Sequence, residues 1–477
     1  MNMKHLLTYI LLLCSLAAAA QISSADRQYL GERDLTGTSR YVAMGGAMAA
    51  VGGDASAASD NPAGLGLYRR SELMITLDYQ INNSSLGQRS ASFSCGQTSW
   101  NFCFLQDQIA GICSNNIMLN YRRLKNFHRE YGTRLVNMDH SQTDVMALKT
   151  NGLIEKDLEG EEAWNNADIG WLSKMGYEGY LIDPDSINTD TWMSANLNPV
   201  NGDLTVQESG SIDEFTIGWG MNISNQWYVG AELGARSLTY MKSSYYDEYF
   251  SDGGWYKLKS YVSTSGVGFV SKVGLIYRPS KVFRIGAAFH SPVPMAITMH
   301  NTADFSTNNR MQVSFPLPEY SNSPNGFTQP MRAVAGLAWQ IQTKGLISLE
   351  YDYQHDLDKA VFDTHQAKLG LEGVIANNWF LNAGYSFKFR QLQNKTWADP
   401  IREIDNNTTR TDTEITNFLC AHYFSAGVSF RHKYVVVGAA YQCRLNGESL
   451  RFHELQTNPI DLRTISHRMV LSLSWRR

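Results

Sequence analysis

Many segments of this chain alternate apolar and polar side chains over about ten residues, the length that crosses a bilayer as a tilted β-strand. In residues 379–390, Trp379 and every second residue as far as Phe389 are apolar or aromatic, whereas Lys388 and Arg390 lie among the intervening positions. Residues 283–290 and 347–354 repeat the pattern. A soluble β-sandwich could carry the same alternation with its charges outside, so single strands leave both architectures open.

The connections between these segments favour a closed barrel. Links after about residues 223, 278, 342, 376 and 431 are tight, whereas those after 127, 242, 300, 354, 391 and 445 are longer, and this short–long alternation is typical of transmembrane barrels. Strands are predicted near residues 72–81, 92–104, 113–127, 212–223, 226–242, 259–278, 281–300, 328–342, 344–354, 364–376, 378–391, 419–431, 433–445 and 464–476. We therefore predict an all-β fold, a transmembrane antiparallel β-barrel of about 14 strands within residues 71–477.

A long extracellular loop is expected at about residues 128–211. Residues 155–180 are compatible with helix and include Trp164, Trp171 and Leu172, so the loop could cap the external mouth; a solvated acidic loop is the other interpretation. Pro292 and Pro294 follow a strand of membrane length. Because proline removes a ladder donor, we expect that strand to bend or bulge above the lipid.

The first twenty residues have the pattern of a signal peptide. Lys4 precedes an apolar run, and Ala18 to Ala20 form a small-residue cleavage site before Gln21. A lipoprotein signal at Cys14 is the weaker interpretation, because Leu13 stands where a small residue is expected. No later apolar run reaches the ~18 residues of a membrane helix. Export without such a helix leaves the periplasm, secretion or the bacterial outer membrane, and the strand pattern favours the outer membrane.

Composition agrees with a barrel in that membrane. The chain has 477 residues with 12% aromatics, including 24 Tyr and 11 Trp, rings that suit two membrane interfaces. The formal net charge of −4 gives no basic footprint, so nucleic acid is not expected as a partner. Outer-membrane lipid is the expected surrounding, and a monomer is the simplest state because a closed barrel has no edge to cover.

Between the signal and the first strand lies a segment rich in Gly and Ala, residues 39–67. Such a segment buries little apolar surface of its own, so a cavity formed by other parts of the chain would have to order it. Closed barrels supply such cavities. We predict that residues 21–70 form a hatch inside the lumen.

Three places in the chain resemble the FadL-type outer-membrane transporters of long-chain fatty acids and aromatic hydrocarbons. They are residues 40–65 with Asn61, Pro62 and Ala63; residues 277–279, which read YRP, followed by residues 284–292, which read RIGAAFHSP; and the closing strand from His467. The resemblance spans nearly the whole mature chain, although the loops match poorly. The chain departs from the common barrel ending, because it finishes Trp475-Arg476-Arg477 instead of on an aromatic residue.

The resemblance implies a monomeric, passive transporter whose hatch blocks the lumen. A hydrophobic ligand would be captured at the external loops, pass to an inner pocket, and leave sideways through a break in the wall after the hatch shifts. Asn61, Pro62 and Ala63 carry over as the hatch motif. The second hypothesis is a general-diffusion or structural barrel, whose loops serve adhesion or partner binding.

Four cations predicted to face inward could hold the carboxylate of a ligand: Arg284, Arg332, Lys388 and Arg390. The competing interpretation is that these cations pair with carboxylates of the wall and keep the lumen electrically satisfied. The candidate partners are Glu232, Glu350, Asp352 and Glu372.

Two cysteines allow a test of the predicted register between two neighbouring strands. If the last hairpin but one turns at Arg431 and His432, Cys420 lies opposite Cys443 with both side chains outward, and a disulfide becomes possible. A one-residue slip would separate them. The other cysteines lack the spacing of a metal site, and no metal or cofactor is expected.

Enzymatic activity is not expected. The pairs His290 with Ser291 and His422 with Ser425 could suggest a nucleophile and its base. However, no GxSxG elbow, HExxH helix or phosphate-binding glycine loop accompanies them.

Overall fold

The computed structural model describes residues 24–105, 111–166, 168–195, 199–322, 327–342, 344–357, 363–390 and 409–477. The predicted signal peptide lies outside these residues. Strands make up most of the described chain, and each strand pairs antiparallel with its neighbours. They are β1 (Glu72–Ser84), β2 (Arg89–Leu105), β3 (Ile112–Asn126), β4 (Arg129–Met138), β5 (Ile182–Pro184), β6 (Trp192–Ser194), β7 (Val200–Ile223), β8 (Trp227–Tyr249), β9 (Trp255–Tyr277), β10 (Phe283–His290), β11 (Val293–Thr307), β12 (Val313–Pro316), β13 (Tyr320–Asn322), β14 (Phe327–Gln329), β15 (Met331–Ile341), β16 (Gly345–His355), β17 (Thr364–Ala376), β18 (Trp379–Arg390), β19 (Ile415–Arg431), β20 (Val435–Arg451) and β21 (Ile460–Arg476).

The helices of the described residues lie in the amino-terminal segment, residues 24–67, which we call the hatch after its predicted role, and in the longest loop. In the hatch are α1 (Ser24–Gly31), α2 (Ser39–Ala43), α3 (Ala55–Asp60) and a 3-10 helix (Pro62–Leu67). In the loop are α4 (Gln142–Thr150), α5 (Glu155–Leu158), a 3-10 helix (Glu161–Asn165) and α6 (Trp171–Glu178). None of the helices in the described ranges is long and apolar enough to span a membrane.

The wall closes because β21 pairs with β1 from Arg476 opposite Glu72 to Thr464 opposite Ser84. Strands β3 and β4 occupy one position in the wall, as do β10 and β11, and β12 to β14 lead into β15. The hairpin β5–β6 forms a separate two-stranded sheet that does not pair with the wall. The described residues thus form a closed antiparallel barrel of fourteen strands, and the predicted fold class is confirmed.

Side chains alternate along the wall as predicted. On β21, Met469, Leu471, Leu473 and Trp475 are exposed on the outside, whereas Arg468 and Val470 are buried inside. The turns at the end of the barrel where β1 begins and β21 ends are tight. Ser224 and Asn225, for example, have φ values of 54° and 57°, the left-handed conformation of the central residues of a tight hairpin turn.

The longest loop is shorter than its predicted extent of 128–211. Strand β4 continues the wall to Met138 and β7 begins at Val200, because the alternation persists there and the two strands pair with each other. The remaining described residues of the loop form a compact cap at the other end of the barrel. Trp164, Trp171 and Leu172 are buried in its core, which also includes inward residues of the wall, so the segment is packed and not merely solvated.

Two local predictions on the strands had different outcomes. The predicted bend at Pro292 and Pro294 is present as a break between β10 and β11, where the pairing with β9 shifts by one residue. The predicted register of Cys420 and Cys443 is wrong. Cys420 lies opposite Gly447 and Cys443 opposite Phe424, because the turn is wider than two residues and the pairing begins at Arg431 opposite Val436. Both thiols are free.

Candidate functional site

The hatch is built from short helices whose ends are capped by its own side chains. Asp54 caps α3 by accepting the backbone N–H of Ser56 at 2.9 Å, and the Thr38 hydroxyl donates to the other oxygen of Asp54 at 2.8 Å. Small residues allow the hatch backbone to approach the wall directly. A Cβ at Gly384 of β18 would overlap the amide nitrogen of Gly45, so the contact there requires glycine in the wall.

The Asn61-Pro62-Ala63 motif joins the hatch to the wall. The amide of Asn61 donates to the carbonyl of Ala49 at 2.7 Å and to that of Leu275, in β9, at 3.3 Å. Its side-chain oxygen accepts the N–H of Ala63 at 3.1 Å and so starts the 3-10 helix. Ala63 is fully buried. The structure therefore places the motif at the contact with the wall, and its role as the hatch motif stays a prediction.

Asp60, the residue before this motif, is the centre of a buried charge cluster. Its Oδ1 lies 3.0 Å from Arg122 of β3, 3.1 Å from Arg332 of β15 and 3.4 Å from Arg33 of the hatch. The Tyr41 hydroxyl donates to Oδ2. Burial alone would raise the pKa of Asp60, but the three guanidinium groups hold it well below its usual range. Sequence reasoning missed this cluster, because its members are separated by tens to hundreds of residues.

The four predicted lumen cations all lie inside, at three separate places. Arg332 bonds Asp60 and Asp352, and Arg284 donates to the carbonyl of Val51 at 2.9 Å. Lys388 and Arg390 lie near Glu32 of the hatch, at 3.6 and 2.6 Å. Each of the four therefore contacts the hatch, and ligand binding by any of them stays a prediction.

The carboxylates proposed as alternative partners are also engaged. Glu232 and Glu350 pair with Lys272 and Lys368 of neighbouring strands, and Glu372 bonds Arg40 of the hatch at 2.6 Å. Glu350 also accepts the backbone N–H groups of Met48 and Ala49. Ion pairing between hatch and wall thus neutralises much of the lumen.

Pairing between β2 and β3 ends before either strand ends. The last pair is Gln97 with Arg122. From there towards the cap, the described residues of β2, back to Arg89, pair with β1 alone. On the other side, β3 and then β4 continue to pair with β7. We call this interval, between residues 89–96 and 123–128, the seam. Side chains bridge it sparsely: Asn126 donates to the Ser92 hydroxyl at 2.9 Å.

The hatch lies directly behind the seam. The backbone N–H of Asp34 donates to the carbonyl of Leu124 at 2.9 Å, and the Thr36 hydroxyl donates to the carbonyl of Arg123 at 2.6 Å. Below them, the Ser56 hydroxyl bonds Gln97. Hatch groups therefore satisfy carbonyls of β3 at the point where β2 no longer pairs with it.

Both sides of the wall beside the seam are apolar. On the outside, an open concavity of about 790 Å³ spans β1, β2, β3, β7, β8 and β9 and is lined by side chains such as Trp100, Leu119 and Phe215. Inside, Tyr29 and Leu30 of α1 pack against a second apolar surface, which we call the inner apolar face. Its residues are Leu124, Phe127, Ile212, Leu238, Tyr240, Val262, Val270, Val293, Met295, Ile297, Met299 and Phe327.

A small polar cavity borders the inner apolar face. It encloses about 40 Å³, room for a few waters, and is lined by Glu32, Lys125, Lys388 and Arg390 among other residues. No group of three His, Cys, Asp or Glu side chains in the described ranges could hold a metal ion. The histidines considered for catalysis make other contacts: His290 Nε2 lies 2.8 Å from the carbonyl oxygen of Asp60, and His422 Nδ1 lies 2.9 Å from the Tyr385 hydroxyl.

Comparison with solved structures finds proteins of the same fold. The structure is similar to the toluene transporter TodX of P. putida, with a TM-score of 0.52 and 14% identity over 93% of this chain and 99% of that one. It is also similar to the Ralstonia pickettii toluene transporter TbuX, with a TM-score of 0.51 and 15% identity over 93% and 98% of the two chains. A Pseudomonas aeruginosa FadL homologue gives a TM-score of 0.50 at 11% identity, again over 93% and 98%.

At such identities the likeness is one of fold. No family model matches the chain, and no curated protein matches it. The class that the architecture defines is the closed antiparallel barrel with its amino-terminal segment inside. Within that class, the chain has the FadL-type fold, and the resemblance found in the sequence is confirmed at that level.

Proposed function

We propose that this protein is a passive outer-membrane transporter that takes up hydrophobic small molecules and releases them sideways through the seam. The observation that carries the proposal is the bonding of Asp34 and Thr36 to the β3 carbonyls, because the hatch there replaces a strand partner. A shift of the hatch would break those bonds and open the wall beside β2. Movement of the hatch would thus control a lateral passage.

The apolar surfaces support this route. An apolar molecule that displaces Tyr29 and Leu30 from the inner apolar face would exchange one buried apolar surface for another, at little net cost. Leu124 belongs to that face and also to the seam, so the path from lumen to lipid is short. The outer concavity would receive the molecule directly into an apolar environment.

The substrate class follows by analogy. TodX and TbuX are described as toluene transporters, and a FadL homologue has the same fold. We propose aromatic hydrocarbons or long-chain fatty acids for this chain. For a fatty acid, Lys388 or Arg390 beside the polar cavity would hold the carboxylate by charge-assisted hydrogen bonds.

The lateral route can be tested by tying the seam shut. In a variant without native cysteines, Ser92→Cys and Asn126→Cys would be joined by a short thiol-specific cross-linker that contains a cleavable disulfide. We expect loss of uptake of labelled fatty acid and toluene into liposomes, and recovery after reduction. The matched control joins Ala439→Cys to Leu471→Cys, which are directly opposed on the paired hairpin β20–β21. Equal uptake by both cross-linked proteins would contradict lateral release.

The general-diffusion hypothesis requires a separate measurement. In planar bilayers, we expect low conductance from the mature protein and high conductance once residues 21–67 are deleted, because the hatch crosses the lumen and bonds its wall on several sides. Steady conductance in the intact protein, with no uptake above that of empty liposomes, would favour a general pore or a structural barrel instead.

A further inference from the structure

A repeated side-chain pair lies on the outer face of the wall, remote from the seam. Tyr351 and His365, Tyr385 and His422, and Tyr441 and His467 each place a hydroxyl beside an imidazole Nδ1, at 2.6, 2.9 and 2.7 Å. The three pairs belong to β16 with β17, β18 with β19 and β20 with β21, six consecutive strands. We call these six residues the Tyr–His belt.

The pairs share one geometry. The residues directly opposite the three tyrosines are Ala367, Phe424 and Met469. In each pair, the histidine precedes that opposite residue by two positions in the sequence. Such diagonal neighbours are within reach of long aromatic side chains. A recurrence on three successive strand pairs indicates a common height around this part of the barrel.

That height is the outer edge of the apolar band. From His467 to the end of β21, the outward residues are Met469, Leu471, Leu473 and Trp475, all apolar and exposed. Phe424 to Phe430 on β19 and Ala367 to Ile375 on β17 hold the corresponding outward positions. Nine to eleven residues of tilted strand rise by about 25 Å, the height of the lipid-facing band. The belt therefore lies where lipid head groups begin on the side of the cap.

The charges at this level suit an anion. The residues directly opposite His422 are Phe387 and Leu445, and those opposite His467 are Cys443 and Ile81, none of them negative. Arg463 is exposed on the outward face of β21, four residues above His467. Asp363, which bonds Tyr353 and His355, is the carboxylate near the third pair.

Interfacial tyrosine is common in barrels, but histidine adds a second ring nitrogen. With Nδ1 bonded to a tyrosine hydroxyl, Nε2 of His422 and of His467 is the nitrogen that can donate to a group outside the protein. We propose that the Tyr–His belt binds the phosphate head groups of outer-leaflet phosphorylated lipid, one head group beside each of the pairs at His422 and His467. The tyrosine fixes the ring and the histidine donates to a phosphate oxygen. This goes beyond the proposed transport and does not depend on it.

The test uses the full mature protein in vesicles of phosphatidylcholine that contain a minor fraction of lipid A, either with its phosphates or dephosphorylated. We expect preferential binding of the phosphorylated form. In the variant with His365→Phe, His422→Phe and His467→Phe, that preference should fall about tenfold or more, since hydrogen bonds to charged groups are lost while the aromatic rings remain. His432→Phe, at the opposite end of β19 and β20, is the matched control.

A second measurement protects the test against misassembly of the triple variant. In wild-type protein labelled with ¹⁵N-histidine, phosphorylated lipid A should shift the imidazole resonances of the belt and leave that of His432 unchanged. Equal binding of both lipids, or an unchanged preference in the triple variant, would overturn the proposal. So would shifts of the same size with inorganic phosphate alone, because the belt would then bind free anions and not lipid.

Discussion

The two halves of the barrel wall hold the hatch in different ways. Strands β16 to β21 pair continuously, and their inner face presents charged groups and glycines to the hatch, as in the bond between Glu372 and Arg40 and the contact of Gly384 with Gly45. Strands β2 to β11 contain the seam, the break at Pro292 and the inner apolar face. The hatch bonds both halves, but only in the second half does it stand where a strand partner is missing.

The difference indicates where the barrel can open. A continuous ladder loses several hydrogen bonds when it parts, whereas the seam loses few. At the second break, His290 lies opposite Arg332 and Val293 opposite Gln329, so Pro292 faces Pro330 and neither supplies an N–H. Loosening the hatch should therefore expose the β2–β11 half and leave β16–β21 intact. The following predictions test this contrast, beginning with the largest effect.

Asp60→Asn should loosen the hatch most. The substitution leaves Arg33, Arg122 and Arg332 facing an uncharged amide, and loss of one partner of a buried charge cluster costs about 3–5 kcal/mol. We expect faster hydrogen exchange in residues 34–67 and higher conductance. Asp461→Asn, at an exposed position of β21, serves as the control. Unchanged exchange in the Asp60 variant would mean that the charge cluster does not hold the hatch.

Gly384→Ala should act on the intact half without changing any charge. The added methyl would overlap the backbone of Gly45 and displace the hatch at a cost of about 1–3 kcal/mol. Gly373→Ala, on neighbouring β17, is the matched control because nothing lies within 4 Å of the added atom. The measurement is the denaturant midpoint of the hatch, followed through hydrogen exchange. Equal effects of the two substitutions would mean that steric overlap with Gly45 is not what destabilises the hatch.

Much of the wall could be predicted from the sequence, because alternation is a local property. The inward positions of Arg332, Lys388 and Arg390 follow from that alternation alone. The seam could not be predicted in this way, since it depends on where the pairing of two strands stops, and no residue type marks Gln97 or Arg122 as the last pair. The cluster at Asp60 is non-local for the same reason. The one available signal was the position of an acid directly before the Asn61-Pro62-Ala63 motif.

Acid should weaken the hatch only at low pH. Burial alone would raise the pKa of Glu32, but Lys388 and Arg390 lower it to about 2, against 4.5 for the free side chain. A depressed pKa in the docked state means that the stabilisation is complete above pH 4.5 and is lost as the pH falls towards 2. We expect constant hatch exchange protection between about pH 8 and 5 and a decline below that range. In Glu32→Gln the part of the decline due to this group should be absent; an identical profile would assign the decline to other carboxylates.

The smallest expected effect concerns the intact half and its register. Cys420 and Cys443 lie opposite Gly447 and Phe424, so oxidation should form no bridge between them, and mass spectrometry of a non-reduced digest should find both thiols free. Their substitution by serine should leave the heat-induced mobility shift of the folded barrel unchanged. A Cys420–Cys443 disulfide would require β20 to move along β19 by four residues. That slip would move the Tyr441–His467 pair away from the height of the Tyr385–His422 pair. It would also interrupt the continuous pairing of β16 to β21, on which the contrast with the seam depends.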